Sequence, residues 1–221
     1  MARQPDQTIE RTYAVGDIHG CSPLLRRLLD RIPFDPDVDT LVFLGDYLDR
    51  GPDVRGVVET VLRLKETFKH AICLRGNHEQ MFLDCYLEGR DEELFLANGG
   101  AATLYSYGLN LREALAGKGF PEEHLRFLAS LPLYHETEEY IFVHAGLRPG
   151  IPLARQSSED LLWIRHEFID SDWDLGKTVV FGHTPLYEPL LGKDKIGIDT
   201  GAVYGGQLTC IELPSRRIFQ A

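Results

Sequence analysis

The chain reads as an α/β fold whose N-terminal half is a βαβαβ unit. Three observations predict this. Short apolar runs alternate with longer stretches of helical periodicity in the first third, each of the first three runs ends in a glycine-flanked polar cluster, and the second half returns to short apolar runs. Strands joined through helices pair in parallel with right-handed crossovers. Their carboxyl ends then share one edge, where the sites of open α/β sheets gather.

Residues 1–11 are polar and are expected to form a loose tail before a single domain over 12–221. The first strand, residues 13–15, runs into Gly16-Asp17-Ile18-His19-Gly20. A helix is expected over 23–31, with Ser22 as its N-cap, Pro23 at its first position, and Leu24, Leu25, Leu28 and Leu29 on one face. After a Pro/Asp loop over 33–39, the unbroken apolar run 41–44 has the character of a strand buried on both faces. It runs into Gly45-Asp46-Tyr47-Leu48-Asp49-Arg50-Gly51. A helix over about 53–68 places Val57, Val58, Val61, Leu62 and Leu64 at core spacing, and a third strand, 71–74, runs into Arg75-Gly76-Asn77-His78-Glu79. Residues 81–130 read as mostly helical, broken at Gly99-Gly100 and turned over 105–108. Further strands are expected over 140–143, 178–181, 196–198 and 208–213.

A chain of 221 residues with 43% hydrophobic and 26% charged content suits one soluble globular domain. A net charge of −11 argues against general binding to nucleic acid or to anionic membrane. No apolar run approaches the ~20 residues of a membrane span, and the polar N-terminus lacks the apolar stretch of a secretory signal. The four cysteines, Cys21, Cys73, Cys85 and Cys210, form no C-x-x-C pair, so neither a zinc site nor a redox motif is expected. A reduced, cytoplasmic protein fits these features.

The polar clusters carry the chemistry. The strands over 140–143 and 178–181 end in His144-Ala145-Gly146 and Gly182-His183-Thr184-Pro185, so five strand ends deliver carboxylate, amide or imidazole to one edge. Asp17 and His19, two apart in an extended segment, are expected to point the same way. Asn77 and His78 are adjacent and diverge, so one can hold a metal while the other faces a substrate. Oxygen and imidazole donors without thiolate suit manganese, iron or zinc better than soft metals. Other residues read as structural: Cys21 as a small residue in a tight turn, and His70, His124, His135 and His166 as surface or packing histidines. Glu79 reads either as a partner of the cluster or as the start of a helix, and Asp199-Thr200-Gly201 either as support for a metal or as turn chemistry.

Taken together, the clusters at 16–20, 45–51, 75–79, 144–146 and 182–183 resemble the phosphoprotein phosphatase family of calcineurin-like metallophosphoesterases, of the bacterial and bacteriophage serine/threonine type, over roughly residues 12–213. The resemblance implies a metallophosphoesterase β-sandwich of mixed sheets flanked by helices. It also implies two divalent ions, manganese first, with iron or zinc as alternatives. The first would be held by Asp17, His19 and Asp46, the second by Asp46, Asn77, His144 and His183, with Asp46 bridging. His78 would be the general acid, oriented by Asp49. Arg50 and Arg75 would clamp the phosphate, with Arg165, which follows Trp163 by two positions, as a third. The implied reaction is in-line attack of metal-bound hydroxide on a phosphate ester, with no phosphoenzyme. Two divalent cations outweigh the aspartates, and arginine forks add donors for phosphoryl oxygens.

The implied partner is a phosphoprotein or a phosphorylated small molecule. Asn98-Gly99-Gly100-Ala101-Ala102-Thr103 resembles the bacterial and bacteriophage protein phosphatases, which implies phosphoserine or phosphothreonine substrates, with phosphotyrosine as a variant. Asp199-Thr200-Gly201-Ala202 and Gly205-Gly206 are shared with symmetrical dinucleoside polyphosphate (diadenosine tetraphosphate) hydrolases, the alternative. A non-catalytic phosphopeptide-binding module would require a lost ligand or acid, and every one of those positions is filled.

Overall fold

The computed structural model describes residues 10–221. The part of the expected tail over 1–9 lies outside the described residues. Arg11 is tied down by its backbone N–H, Nε and Nη2, all donating to Asp39 at 3.1–3.2 Å.

The strands are β1 (Thr12–Val15), β2 (Thr40–Phe43), β3 (His70–Cys73), β4 (Tyr134–Glu136), β5 (Tyr140–Val143), β6 (Thr178–Phe181), β7 (Leu190–Leu191), β8 (Lys195–Gly197), β9 (Thr209–Leu213) and β10 (Arg217–Gln220). The helices are α1 (Ser22–Leu29), α2 (Val54–Thr67), α3 (Asn77–Glu88), α4 (Glu92–Ala97), α5 (Gly100–Tyr107), α6 (Leu111–Leu115), α7 (Glu122–Ala129), α8 (Ser158–Trp163) and α9 (His166–Ile169). None of them is long and apolar enough to cross a membrane.

Two five-stranded mixed sheets form, in the orders β10-β9-β1-β2-β3 and β4-β5-β6-β8-β7. β1, β2 and β3 pair in parallel, as the βαβαβ reading expects, and so do β5, β6 and β8. The period-2 alternation of side chains sorts each strand between two cores. Ala14, Val42, Phe142, Val180, Ile196 and Ile211 meet between the sheets. Tyr13, Val15, Leu41 and Phe43 face a second core with Leu25, Val57, Phe82 and Phe127 from the helices. Ile141, Val143, Val179 and Phe181 face a third with Leu161 and Phe168. The layers therefore run helix, sheet, sheet, helix. Past their half-buried first threonines, β2 and β6 are apolar and buried on both faces.

Several local expectations change. Cys21, not Ser22, is the N-cap of α1, and Pro23 sits at the second helical position. The Ser22 hydroxyl instead donates to Asp53. Asp53 in turn caps α2 by accepting from Gly56 N at 3.1 Å, a contact worth about 1 kcal/mol. α3 begins at Asn77, earlier than the residue-81 start, because the Glu79 carboxylate reaches back to the N–H of Gly76 at 2.9 Å and closes the first turn. β4, β7 and β10 carry no clear alternation; pairing with β5, β8 and β9 makes them strands.

Candidate metal centre

The loops after β1, β2, β3, β5 and β6 converge on one place. Five of the seven non-glycine residues with positive φ among the described residues lie in these loops: His19 (+43°), Asp46 (+53°), Asp49 (+67°), Arg50 (+66°) and His183 (+62°). Left-handed backbone at such residues costs of order 1–3 kcal/mol each and persists only where the surroundings over-determine it. It also corrects the extended reading of Asp17 and His19. With His19 left-handed, alternation does not set their directions.

Glu79 is what holds the second loop in this shape. Its carboxylate accepts from the N–H groups of Asp46 (2.8 Å), Tyr47 (2.9 Å), Leu48 (3.1 Å) and Gly76 (2.9 Å). Both readings of Glu79 are therefore met by one side chain. His78 N donates to Asp46 Oδ1 at 3.1 Å, joining the β2 and β3 loops again. Gly76 and Gly182 leave room for the aspartates: a Cβ on either would come within 2.1 Å of an oxygen of Asp46 or Asp17 respectively.

Two tight groups of donor atoms share Asp46: His19, Asp46 and His78, and Asp46, His144 and His183. Asn77 belongs with the second, its Oδ1 lying 2.9 Å from His144 Nε2 and 3.0 Å from His183 Nδ1. Asp17 joins neither group; its oxygens each accept from His183 N at 3.1 Å. Burial, with Asp199 and Asp46 nearby, pushes the Asp17 carboxyl well above its ordinary range. Burial opposes charge on Asp46 too, but His144, His78 and His19 outweigh it and hold that carboxyl well below the usual range. Burial pushes the His144 imidazole below its ordinary pKa and that of His183 down to about 2.

His78 Nδ1 lies 2.6 Å from Asp49 Oδ2, and its Nε2 is buried, unpartnered and 3.9 Å from Asp46 Oδ2. Arg50 Nη1 lies 2.7 Å from His19 Nε2, with its guanidinium 5.5 Å from the ring centre of Tyr204. Arg165 Nη1 donates to the His183 carbonyl at 3.2 Å. Arg75 is turned elsewhere, donating to Gln80 Oε1 at 2.9 Å and to the Ala129 carbonyl at 2.8 Å. Arg50 and Arg165 thus touch the donor residues, whereas Arg75 braces α3 against the end of α7. His166 is exposed beside Asp170, and His124 is buried against Tyr107.

A family profile described as calcineurin-like phosphoesterase matches residues 10–210. The chain belongs to that family. This phosphoesterase is 36% identical over 204 residues to serine/threonine-protein phosphatase 1 of Salmonella typhimurium, with 89% of each chain covered. It is 32% identical over 228 residues to an asymmetrical bis(5'-nucleosyl)-tetraphosphatase, PrpE, of Bacillus cereus, covering 90% of this chain and 89% of the relative. A solved structure described as a diadenosine tetraphosphatase superposes with a TM-score of 0.75 at 27% identity, covering 98% of this chain and 95% of that one. A yeast protein serine/threonine phosphatase, at 16% identity and a TM-score of 0.65, shares the fold. The chain is accordingly a hydrolase of the phosphatase type, and its family works with divalent metals.

The donor atoms fit such ions. His144 Nδ1 faces the Leu44 carbonyl at 2.9 Å, and His19 Nδ1 faces the Leu48 carbonyl at 2.7 Å. A carbonyl only accepts, so these nitrogens carry the hydrogen; in the neutral ring His144 Nε2 presents a bare lone pair, while that of His19 Nε2 accepts from Arg50 Nη1. His144 Nε2 points at Asn77 Oδ1 and, at 3.4 Å, at Asp46 Oδ1, both acceptors. Lone pairs converging without a proton between them call for a cation. The backbone carbonyls that fix the tautomers were invisible in the sequence because they come from distant turns.

Proposed function

We propose that this phosphoesterase removes phosphate from phosphoserine and phosphothreonine proteins, with phosphotyrosine as a further substrate. The observation that carries the reading is the buried His78–Asp49 pair: one imidazole nitrogen held by a carboxylate, the other unpartnered beside Asp46. A histidine so held can hand a proton to a departing oxygen. Seryl and threonyl alkoxides are poor leaving groups and need that proton, whereas a polyphosphate leaves readily as an anion. The Salmonella relative's name supports the same substrate class.

In this reading Asp17, His19 and Asp46 hold one divalent ion and Asp46, Asn77, His144 and His183 the other, manganese being the best match to the oxygen and imidazole donors. Bound ions would lower the pKa of a water and offset charge on the phosphoryl oxygens. Arg50 and Arg165 grip those oxygens as planar forks. Arg75 joins them only by releasing Gln80 and Ala129. Asp49 keeps the His78 ring aligned, and His78 Nε2 delivers the proton to the leaving oxygen.

A second reading, cleavage of dinucleoside tetraphosphates, is favoured by the Bacillus relatives and by the structure described as a diadenosine tetraphosphatase. The Bacillus names are of the asymmetrical type, so this reading would take that form in place of the symmetrical one.

The test is a side-by-side rate comparison with manganese. A phosphoserine/phosphothreonine peptide, a phosphotyrosine peptide and diadenosine tetraphosphate are the substrates, with Asp46→Asn as control. The proposal expects kcat/KM on the first peptide to exceed that on the dinucleotide by at least about tenfold. Dominant cleavage of the dinucleotide replaces it with the second reading.

A further inference from the structure

Asp49 and Arg50 follow one another in the left-handed region, at φ +67° and +66°. Two such non-glycine residues in succession need external restraint. Both restraints come from the helical segment inserted between β3 and β4. Arg50 N donates to the Gly99 carbonyl at 3.2 Å, and Asp49 N donates to Thr103 Oγ1 at 3.0 Å. Thr103 lies on α5, 54 positions from Asp49.

The Thr103 hydroxyl does more than accept. Its own proton goes to Asp49 Oδ1 at 2.5 Å, while Asp49 Oδ2 faces His78 Nδ1 at 2.6 Å. The hydroxyl has one proton, and the Asp49 N–H takes one of its lone pairs, so its direction is set. Each carboxylate oxygen of Asp49 then has its own partner. Thr103 and Asp49 are 0% exposed and His78 is 1% exposed, so solvent offers no ready substitute for the hydroxyl. Threonine is a weak helix former, and a residue chosen only to fill α5 would not need a hydroxyl.

We propose that Thr103 is a positioning residue of the phosphoryl-transfer site. It sets the rotation of the Asp49 carboxylate, and through it the aim of His78 Nε2 at the leaving oxygen. Helix α5 thereby takes part in the chemistry although it supplies none of the candidate metal ligands. The inference rests on the reading of His78 as the proton donor.

The experiment compares Thr103→Val, which keeps the shape and loses both hydrogen bonds, with Thr103→Ser, which keeps the hydroxyl. His78→Asn and Asp49→Asn run in parallel on the full-length, manganese-loaded chain. Two substrates are used: a phosphoserine peptide, whose alkoxide needs protonation, and 4-nitrophenyl phosphate, whose phenolate does not. Thr103→Val is expected to lower kcat on the peptide by roughly 10–100-fold and on the aryl phosphate by less than about threefold, with KM changed by less than about twofold. Thr103→Ser is expected to return the peptide rate to within about threefold of the parent. Metal content should be unchanged in both.

Equal losses on the two substrates, or lost metal, would reduce Thr103 to a packing residue and overturn the proposal. So would an unchanged Thr103→Val beside a His78→Asn that is selectively slow on the peptide. If His78→Asn itself shows no such selectivity, the proton-donor reading fails first and the Thr103 proposal falls with it. Should the valine variant not fold, Thr103→Ala is read by the same criteria.

Discussion

The two sheets serve the same site by different means. The β1-β2-β3 sheet contributes loops: Asp17, His19, Asp46, Asp49 and Arg50 sit on segments with left-handed residues and Asn77 and His78 open α3, all cross-braced by the four N–H groups gathered on Glu79 and by the bonds from α5. The β5-β6-β8 sheet contributes two imidazoles whose pKa burial lowers, His144 and the left-handed His183, each at the end of a buried strand. Charge is thus concentrated where the backbone is most constrained. Carboxylates brought together in a buried place repel and resist desolvation, so their loops need bracing, whereas a neutral imidazole needs only one hydrogen bond to set its ring.

The largest expected effect tests the shared member of both groups. Asp46→Asn removes the only carboxylate common to them and should lower kcat/KM by about a thousandfold or more while reducing manganese stoichiometry, read by steady-state rates and metal analysis. Full metal loading in that variant would mean that the two groups do not share a bridging ligand.

Next comes the second sheet alone. His144→Gln should weaken manganese binding at one ion by at least the roughly 10–100-fold that losing a supporting partner costs. Its melting temperature should stay within about 3 °C of the parent, because the loop bracing is untouched. Titration calorimetry and thermal melts read the two separately. A collapse in thermal stability would show that the second sheet's loops are as strained as the first's.

The smallest effect on chemistry and the clearest on folding is expected from Glu79→Gln. It places an amide N–H₂ where four backbone N–H groups now find acceptors, and should destabilise the chain by about 2–3 kcal/mol, or about 4–12 °C in melting temperature. Metal affinity should fall by about tenfold as the Asp46 loop loosens. An unchanged melting temperature would break the comparison, since the first sheet would then owe its shape to something other than Glu79.

Much of this was legible along the chain. The apolar runs of β1, β2, β5 and β6 announce themselves because strands buried on two faces are largely hydrophobic, and β3, half-buried at the sheet edge, still carries the run 71–74. The donor residues stand out because each follows such a run within four positions. What was not legible has a common physical origin. Ser22 looks like an N-cap by residue type, yet its hydroxyl finds Asp53, far away in sequence. β4, β7 and β10 become strands only through their partners. Arg75 sits in the same cluster as Asn77 and His78, but it donates to nearby Gln80 and to the carbonyl of Ala129, 54 positions away.

The sequence by itself therefore determined the fold class, the strand ends that bring polar residues together and the kinds of candidate donor they bear, because residue type and period are local properties. Only the tertiary structure decided which donors meet, which ring nitrogens are left bare and which arginines face the site. Those outcomes depend on carbonyls, amides and a threonine hydroxyl from distant segments, such as Leu44 under His144 and Thr103 under Asp49, and no local pattern encodes such contacts.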